Sequence, residues 1–235
     1  MSFKALLFTR TAAYRHASIP SGIRAIERLA SSHNFATFHT EDPAVFTDES
    51  FAEYKVIILL QCSGEFLETK EQIDALKKFV RNGGGVVGVH CASFAMESES
   101  WYGKLIGAVF EGHPAPETQW VRVADKIHPA CQDCLGMGNG PRRMKKNAQG
   151  EEGLEWEWLD EWYVFKESAQ DIRGRVHVLL KGGLHGEDYP LSWCQEFEGG
   201  RSFYTSLGHF DEAYEDEGFL AHLLRGILWV AGEIS

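Results

Sequence analysis

Apolar positions along this chain fall into short unbroken runs that alternate with stretches of helical spacing. Ala5 to Phe8 is such a run, ending at Thr9-Arg10-Thr11, and reads as a first strand with its loop. Ile19, Ile23, Ile26 and Leu29 or Ala30 then recur at helical intervals. They predict a helix over 20–32, with Ser18 as its cap and Pro20 in its first turn. Phe35 to His39 is a short second strand, and Glu53 to Leu60 holds an apolar core that reads as a buried third. Thr69 and Gln72 make a capping-box pattern ahead of Ile73, Leu76, Phe79 and Val80, and Gly83 closes that helix. Val86 to Val89 follows as another strand covered on both faces, then stops abruptly at His90-Cys91-Ala92-Ser93. This alternation predicts an α/β fold, a doubly wound, flavodoxin-like, mostly parallel sheet with helices on both faces.

The rhythm changes after Gly107. Residues 113–170 show no β-α-β pattern and read as a loop-rich excursion, including the exposed stretch from Gly136 to Arg143. Val121-Val123, Val176 to Leu180 and Leu191 to Phe197 read as further strands, some antiparallel. Ser202 to Ser206 is a late strand ending in small residues, with His209 just beyond it. Leu220, Leu223, Leu224, Ile227, Leu228 and Ala231 predict a terminal helix that covers one face. With no repeat and no linker, residues 1–235 read as a single domain.

Composition narrows the partners. A formal charge of −11 disfavours nucleic acid and anionic membrane, both of which recruit basic patches. It leaves neutral small molecules such as carbohydrates. Seven tryptophans and 12% aromatic residues suit the flat faces of sugars, although most would serve the core. No stretch approaches a membrane span, Met1 to Phe8 enters a strand directly, and five cysteines fit reduced thiols, so a cytoplasmic location is expected. A homodimer is the one oligomer considered.

Histidines gather in loops at strand ends: His16, His90, His113 and His209. Parallel strands share a carboxyl edge, so such loops can converge there. Asp160 or Glu161 offers a carboxylate, and Tyr163 a ring with a hydroxyl. Imidazoles with a carboxylate do acid–base work or hold a divalent metal such as zinc, with His16, His90, His113 and His209 as ligands. The plain alternative for each histidine is a satisfied ring in the framework. Cys131 and Cys134 have metal-ligand spacing with no second pair, and are expected to lie outside the site.

The sequence resembles the trehalose-utilisation (ThuA-like) proteins. The matching pieces are Arg15-His16-x-x-Ile19-Pro20-x-Gly22, Gly83-Gly84-Gly85-x-x-Gly88-x-His90-x-Ala92 and Trp101-Tyr102-x-x-x-Ile106-Gly107-Ala108-x-Phe110-x-Gly112-His113-Pro114. His128-Pro129, Asp160-Glu161-Trp162-Tyr163-x-Phe165, Trp193, Gly200-Arg201-x-Phe203-Tyr204-x-Ser206-Leu207-Gly208-His209 and Gly226-Ile227-Leu228-Trp229 continue it in order. The resemblance implies a relative of class I glutamine amidotransferases. Those carry Gly-x-Cys-x-Gly at the elbow, whereas Gly88-x-His90-x-Ala92 puts histidine there and Cys91 one residue later. Amidotransferase activity is therefore not expected.

What the resemblance implies instead is trehalose and disaccharide catabolism: an enzyme acting on a disaccharide or its 3-keto derivative, by cleavage or isomerisation. His90, His16, His113 and His209, with Asp160 or Glu161, are the candidate catalytic residues, and Tyr163, Trp193 and Arg15 the candidate sugar contacts. The rival expectation is a non-catalytic sugar-binding or regulatory module that lost the elbow nucleophile.

Overall fold

A computed structural model describes residues 2–132, 141–146, 150, 152–186 and 188–235. The first half alternates strands and helices as the apolar runs predict. β1 (Lys4–Phe8) leads to α1 (Ile19–Ser32), β2 (Ala36–Thr40), a single turn α2 (Asp48–Phe51), β3 (Val56–Leu60), α3 (Lys70–Arg81) and β4 (Gly85–Val89). Every residue of β3 and β4 is buried, which is why neither shows polar alternation. The Thr69 hydroxyl accepts from the Gln72 amide and the Gln72 side chain reaches back, so the capping box holds the start of α3.

The chain continues through α4 (Ser100–Ile106), β5 (Phe110–Gly112), β6 (Glu117–Val123), β7 (Arg142–Lys146), β8 (Glu152–Asp160), β9 (Val164–Phe165) and α5 (Ala169–Arg175). It closes with β10 (His177–Gly182), β11 (Pro190–Phe197), β12 (Gly200–Thr205) and α6 (Glu217–Val230). Ten strands form one mixed sheet in the order β2-β1-β3-β4-β12-β11-β10-β6-β8-β7, and β5 pairs with β9 separately. From β2 to β12 neighbours run parallel; from β12 to β7 they run antiparallel. Residues 113–170, expected to be loop-rich, thus contribute strands β6, β7 and β8 that widen the sheet. Glu155-Trp156-Glu157-Trp158 carried the signal, an alternation of period two.

Two apolar layers cover the sheet. Alternate residues of β1 go to opposite sides, Ala5 and Leu7 with α1 and α6, Leu6 and Phe8 with α3 and α4. Of the five cysteines, Cys62, Cys91, Cys131 and Cys194 are free and buried, and Cys134 lies outside the described residues, as do 136–140. Among the described residues, no helix is long and apolar enough to cross a membrane.

Strand direction decides which loops share an edge of the sheet. Four reversals separate β12 from β8, so β8 points the same way as the parallel strands and Asp160 ends at their carboxyl edge. A flat sheet would hold β8 about 19 Å from β12 at the usual strand spacing. Instead Asp160 Oδ2 accepts a hydrogen bond from the Gly208 amide at 2.8 Å, three residues past β12. The antiparallel half therefore curls back over that edge, as wide twisted sheets do.

Candidate functional site

Three loops at the carboxyl edge and the end of β8 meet at one point. His90 follows β4 directly with φ of 53°, a left-handed backbone that aims its ring across the strand ends. Such strain costs on the order of 1–3 kcal/mol and persists where neighbours over-determine it. Here Tyr204 Oη donates to the His90 carbonyl at 2.8 Å, and β4 and β12 pair up to Val89 and Thr205. His16 comes from the loop after β1, His209 from the loop after β12, and Glu161 from the residue after β8.

Four atoms face one another there: His16 Nε2, His90 Nε2, His209 Nδ1 and Glu161 Oε2. Glu161 Oε2 lies 3.1 Å from His209 Nδ1, 3.3 Å from His90 Nε2 and 3.9 Å from His16 Nε2. His209 Nδ1 and His90 Nε2 are 3.4 Å apart. The far nitrogens are occupied. His90 Nδ1 is 2.6 Å from the Ser206 carbonyl, which only accepts, so Nδ1 carries the proton and Nε2 turns a lone pair inward. The Cys91 thiol donates to the Gln61 carbonyl at 3.1 Å, and its sulfur lies 3.4 Å from His16 Nδ1. That sulfur takes the His16 Nδ1 proton and leaves Nε2 facing the centre.

Electrostatics divides the groups. Burial alone would raise the Glu161 carboxyl, but the imidazoles of His16, His209 and His90 outweigh it and hold the acid well below its usual range. Burial pulls the His209 ring down, yet its bond to Glu161 prevails and its pKa is raised. His16 is lowered to about 4, mainly by burial and further by the other two rings, against the pull of Glu161. The centre is therefore a Glu161 carboxylate beside a His209 ring whose hold on a proton is strengthened, with a neutral His16 behind. Burial pushes the Cys91 pKa far up and so favours its thiol form.

Exposure decides which groups a substrate can reach. The side chains of His90 and His16 are 0% and 4% exposed, while Glu161, His209 and His113 are 11%, 17% and 33% exposed. His113 stands at the rim with Nε2 3.5 Å from Glu161 Oε1; Glu161, rather than His113, completes the inner group.

The other expected residues do not contribute to the four converging atoms. Asp160 is fully buried and accepts from Trp158 Nε1 and from the amides of Glu161, Gly208 and His209; it fixes the loops and does not face the centre. Tyr163 is buried with its hydroxyl 2.8 Å from His90 Nε2 and braces that ring. Trp193 is a core residue whose Nε1 donates to the Ile106 carbonyl. Arg15 is half-exposed and paired with Glu41 at 2.7 Å. Ser18 stands at the start of α1, but its hydroxyl does not cap the helix; it donates to the His209 carbonyl at 2.6 Å.

Two residues were not anticipated. Gln61, with φ of 53°, directly follows β3 as His90 follows β4, and its amide donates to the Gly208 carbonyl at 2.6 Å. A polar residue abruptly ending a fully buried run was the available signal. Tyr14 is 62% exposed, with its ring 4.7 Å from that of His16. Its loop is pinned: Ser63 Oγ donates to the Tyr14 carbonyl at 2.6 Å, and the Ala12 amide to the Ser63 carbonyl at 2.8 Å. Gly64, at φ of 65°, lets the backbones approach, since a Cβ there would meet Ala13 at 2.9 Å. An exposed ring on a fixed loop at the mouth is a ready stacking surface.

The fold and this imidazole–carboxylate centre define an α/β protein with titratable groups gathered at a sheet edge and a histidine at the elbow. The chain belongs to the ThuA family, described as trehalose utilisation, which matches residues 4–230. Among solved structures, a ThuA-like protein from Bacteroides uniformis is similar at 24% identity and a TM-score of 0.72, over 97% of this chain and 91% of that one. One from Parabacteroides merdae gives 19% identity and 0.73, over 98% and 90%. A β-galactosidase from Bacillus circulans shares the fold at 11% identity and 0.56, over 99% of this chain and 31% of the larger protein. No curated protein sequence matches.

Proposed function

We propose that this protein is a carbohydrate-processing enzyme of trehalose or disaccharide catabolism that acts on a 3-keto sugar by proton transfer. The observation that carries the proposal is the Glu161 carboxylate 3.1 Å from a His209 ring whose pKa is raised, both open to the mouth. A ketone at C3 acidifies the C2 proton. Glu161 takes that proton while His209 donates one to the C3 oxygen, giving an enediol, and water-poor surroundings strengthen both interactions. Return of a proton to C3 with the carbonyl at C2 is isomerisation. Alternatively, the C3 hydroxyl returns its proton to His209 as the ketone is restored, the C2–C3 electrons form a C1–C2 double bond as the C1–oxygen bond breaks, and the departing sugar oxygen takes the proton that Glu161 removed. His90 and His16 form the floor beneath Glu161, and Tyr14 offers the sugar a face.

The order β2-β1-β3-β4-β12 with helices on both faces supports reading the parallel half as doubly wound and flavodoxin-like. A cytoplasmic setting goes with the four free cysteines.

The test is incubation with 3-keto-trehalose in deuterium oxide, with trehalose as control. Deuterium at C3 of a 2-keto isomer, or free glucose released alongside recovered substrate carrying deuterium at C2, is the expected result. Sugar binding without exchange or product would instead favour the non-catalytic module.

A further inference from the structure

We propose that His16 Nε2, His90 Nε2, His209 Nδ1 and Glu161 Oε2 form a binding site for one divalent transition-metal ion of the zinc, cobalt or manganese kind. Its part in turnover rests on the 3-keto-sugar reading of the centre; its existence does not.

Donor spacing supports the site. Bonds of about 2.1 Å to nitrogen and oxygen set donors of a tetrahedral ion about 3.4 Å apart. Three separations here are 3.1, 3.3 and 3.4 Å. His16 is the looser donor, 3.9 Å from Glu161 Oε2, and all four atoms lie within 4.8 Å of one another. A modest inward shift of His16 closes the set.

The outer partners match what such ligands need. Histidine ligands usually donate their second N–H to a carbonyl or carboxylate, which fixes the tautomer. His90 does so to the Ser206 carbonyl at 2.6 Å, and His16 sets Nδ1 against the Cys91 sulfur. The carboxylate is held from its other oxygen by His113 at 3.5 Å. Asp160 fixes the backbone of both Glu161 and His209 through their amides. The Tyr163 hydroxyl, which donates to His90 Nε2 in the ion's absence, turns away when that lone pair binds metal.

Donor chemistry selects the ion. Three imidazoles and one carboxylate suit borderline transition metals, whereas magnesium and calcium prefer all-oxygen shells. The partly exposed side of Glu161 and His209 leaves an approach for neighbouring oxygens of a keto sugar.

The experiment strips the purified protein with a chelator and titrates it with zinc, cobalt, manganese or magnesium chloride in the absence of sugar. One zinc, cobalt or manganese ion per chain is expected, with the visible bands of four-coordinate cobalt(II) and no comparable response to magnesium. At a hundredfold excess over Kd, zinc should raise the thermal midpoint by about 5–10 °C. His209→Ala and Glu161→Gln should each weaken binding at least about tenfold. The wild-type cobalt spectrum stands even if a variant fails to fold. Absence of saturable binding of all three ions, or binding that both variants leave intact, overturns the site. Because no readout contains sugar, a protein that binds metal but leaves 3-keto-trehalose untouched loses the reaction and keeps the site. One that turns over after stripping and binds nothing does the reverse.

Discussion

Two histidine-rich regions lie at opposite edges of the sheet, and only one has the makings of a site. At the carboxyl edge, His16, His90 and His209 each turn a nitrogen toward one carboxylate oxygen. At the other edge, past the end of β6, His128 and His177 stack with ring centroids 4.7 Å apart. There three ring nitrogens face separate partners. His128 Nδ1 accepts from the Ala130 amide at 3.1 Å and Nε2 lies 3.5 Å from Cys194 Sγ, while His177 Nε2 pairs with Asp125 at 3.0 Å. In the core nearby, fully buried His222 sets Nε2 2.8 Å from Ser192 Oγ. The abundance of imidazole is similar. What differs is whether the ring nitrogens converge on one carboxylate oxygen or are spread over separate framework partners.

The sharpest way to break this comparison is to exchange the fates of the two sets. His209→Ala should lower turnover on the keto sugar at least about a hundredfold, since general acid–base groups contribute that much or more. His128→Ala should leave turnover within about threefold, well under 1 kcal/mol of barrier, while reducing stability by roughly 1 kcal/mol through its lost hydrogen bond. Steady-state kinetics beside denaturant unfolding reads both; equal losses of turnover would erase the distinction.

Acid stability separates the regions next. Burial lowers the His222 pKa to about 3. Its unfolded value is about 6.5, so below that pH the unfolded chain binds a proton the folded chain refuses. Stability should fall by up to about 1.4 kcal/mol per pH unit from about 6.5 downward, flattening only near the folded value. His222→Asn should make unfolding midpoints less steep in pH across that window; an unchanged slope would mean that His222 is not the group being titrated.

Smaller effects are expected around the mouth. Tyr14→Ala should raise KM about fivefold with kcat little changed, roughly the 1 kcal/mol of a ring contact, and Tyr14→Phe should keep KM low. A fall in kcat alone would move Tyr14 from stacking to chemistry. Cys91→Ala should change turnover least, within about threefold, because the buried thiol only backs His16; abolished turnover with intact circular dichroism would make it a participant.

The parallel half was legible because burial on both faces writes strands as plain apolar runs, and a capping box writes the start of α3. The elbow was legible for a related reason: His90 interrupts such a run with a titratable ring. The choice between Asp160 and Glu161 was not. Adjacent residues at a strand end face opposite ways, and only the curl of the antiparallel half decides which one meets the histidines. Trp193 misled because an indole suits sugar faces and cores alike, and the Ile106 carbonyl that claims its N–H is distant in sequence. Gln61 stayed hidden because its partners, Ser18, Gly208 and Tyr214, come from three separate stretches.

The pairing of β4 with β12 carries a kinetic meaning. It joins residues 85–89 to 201–205, and the bond from the His90 ring to the Ser206 carbonyl closes a separation of 116 residues. Contacts so distant along the chain carry a large loop-closure entropy and form slowly. A nascent polypeptide that has made β4 but not yet released β12 holds the elbow with no acceptor for its ring. Assembly of the centre must therefore belong to the last steps of folding, after α3 and the first three strands can already have docked.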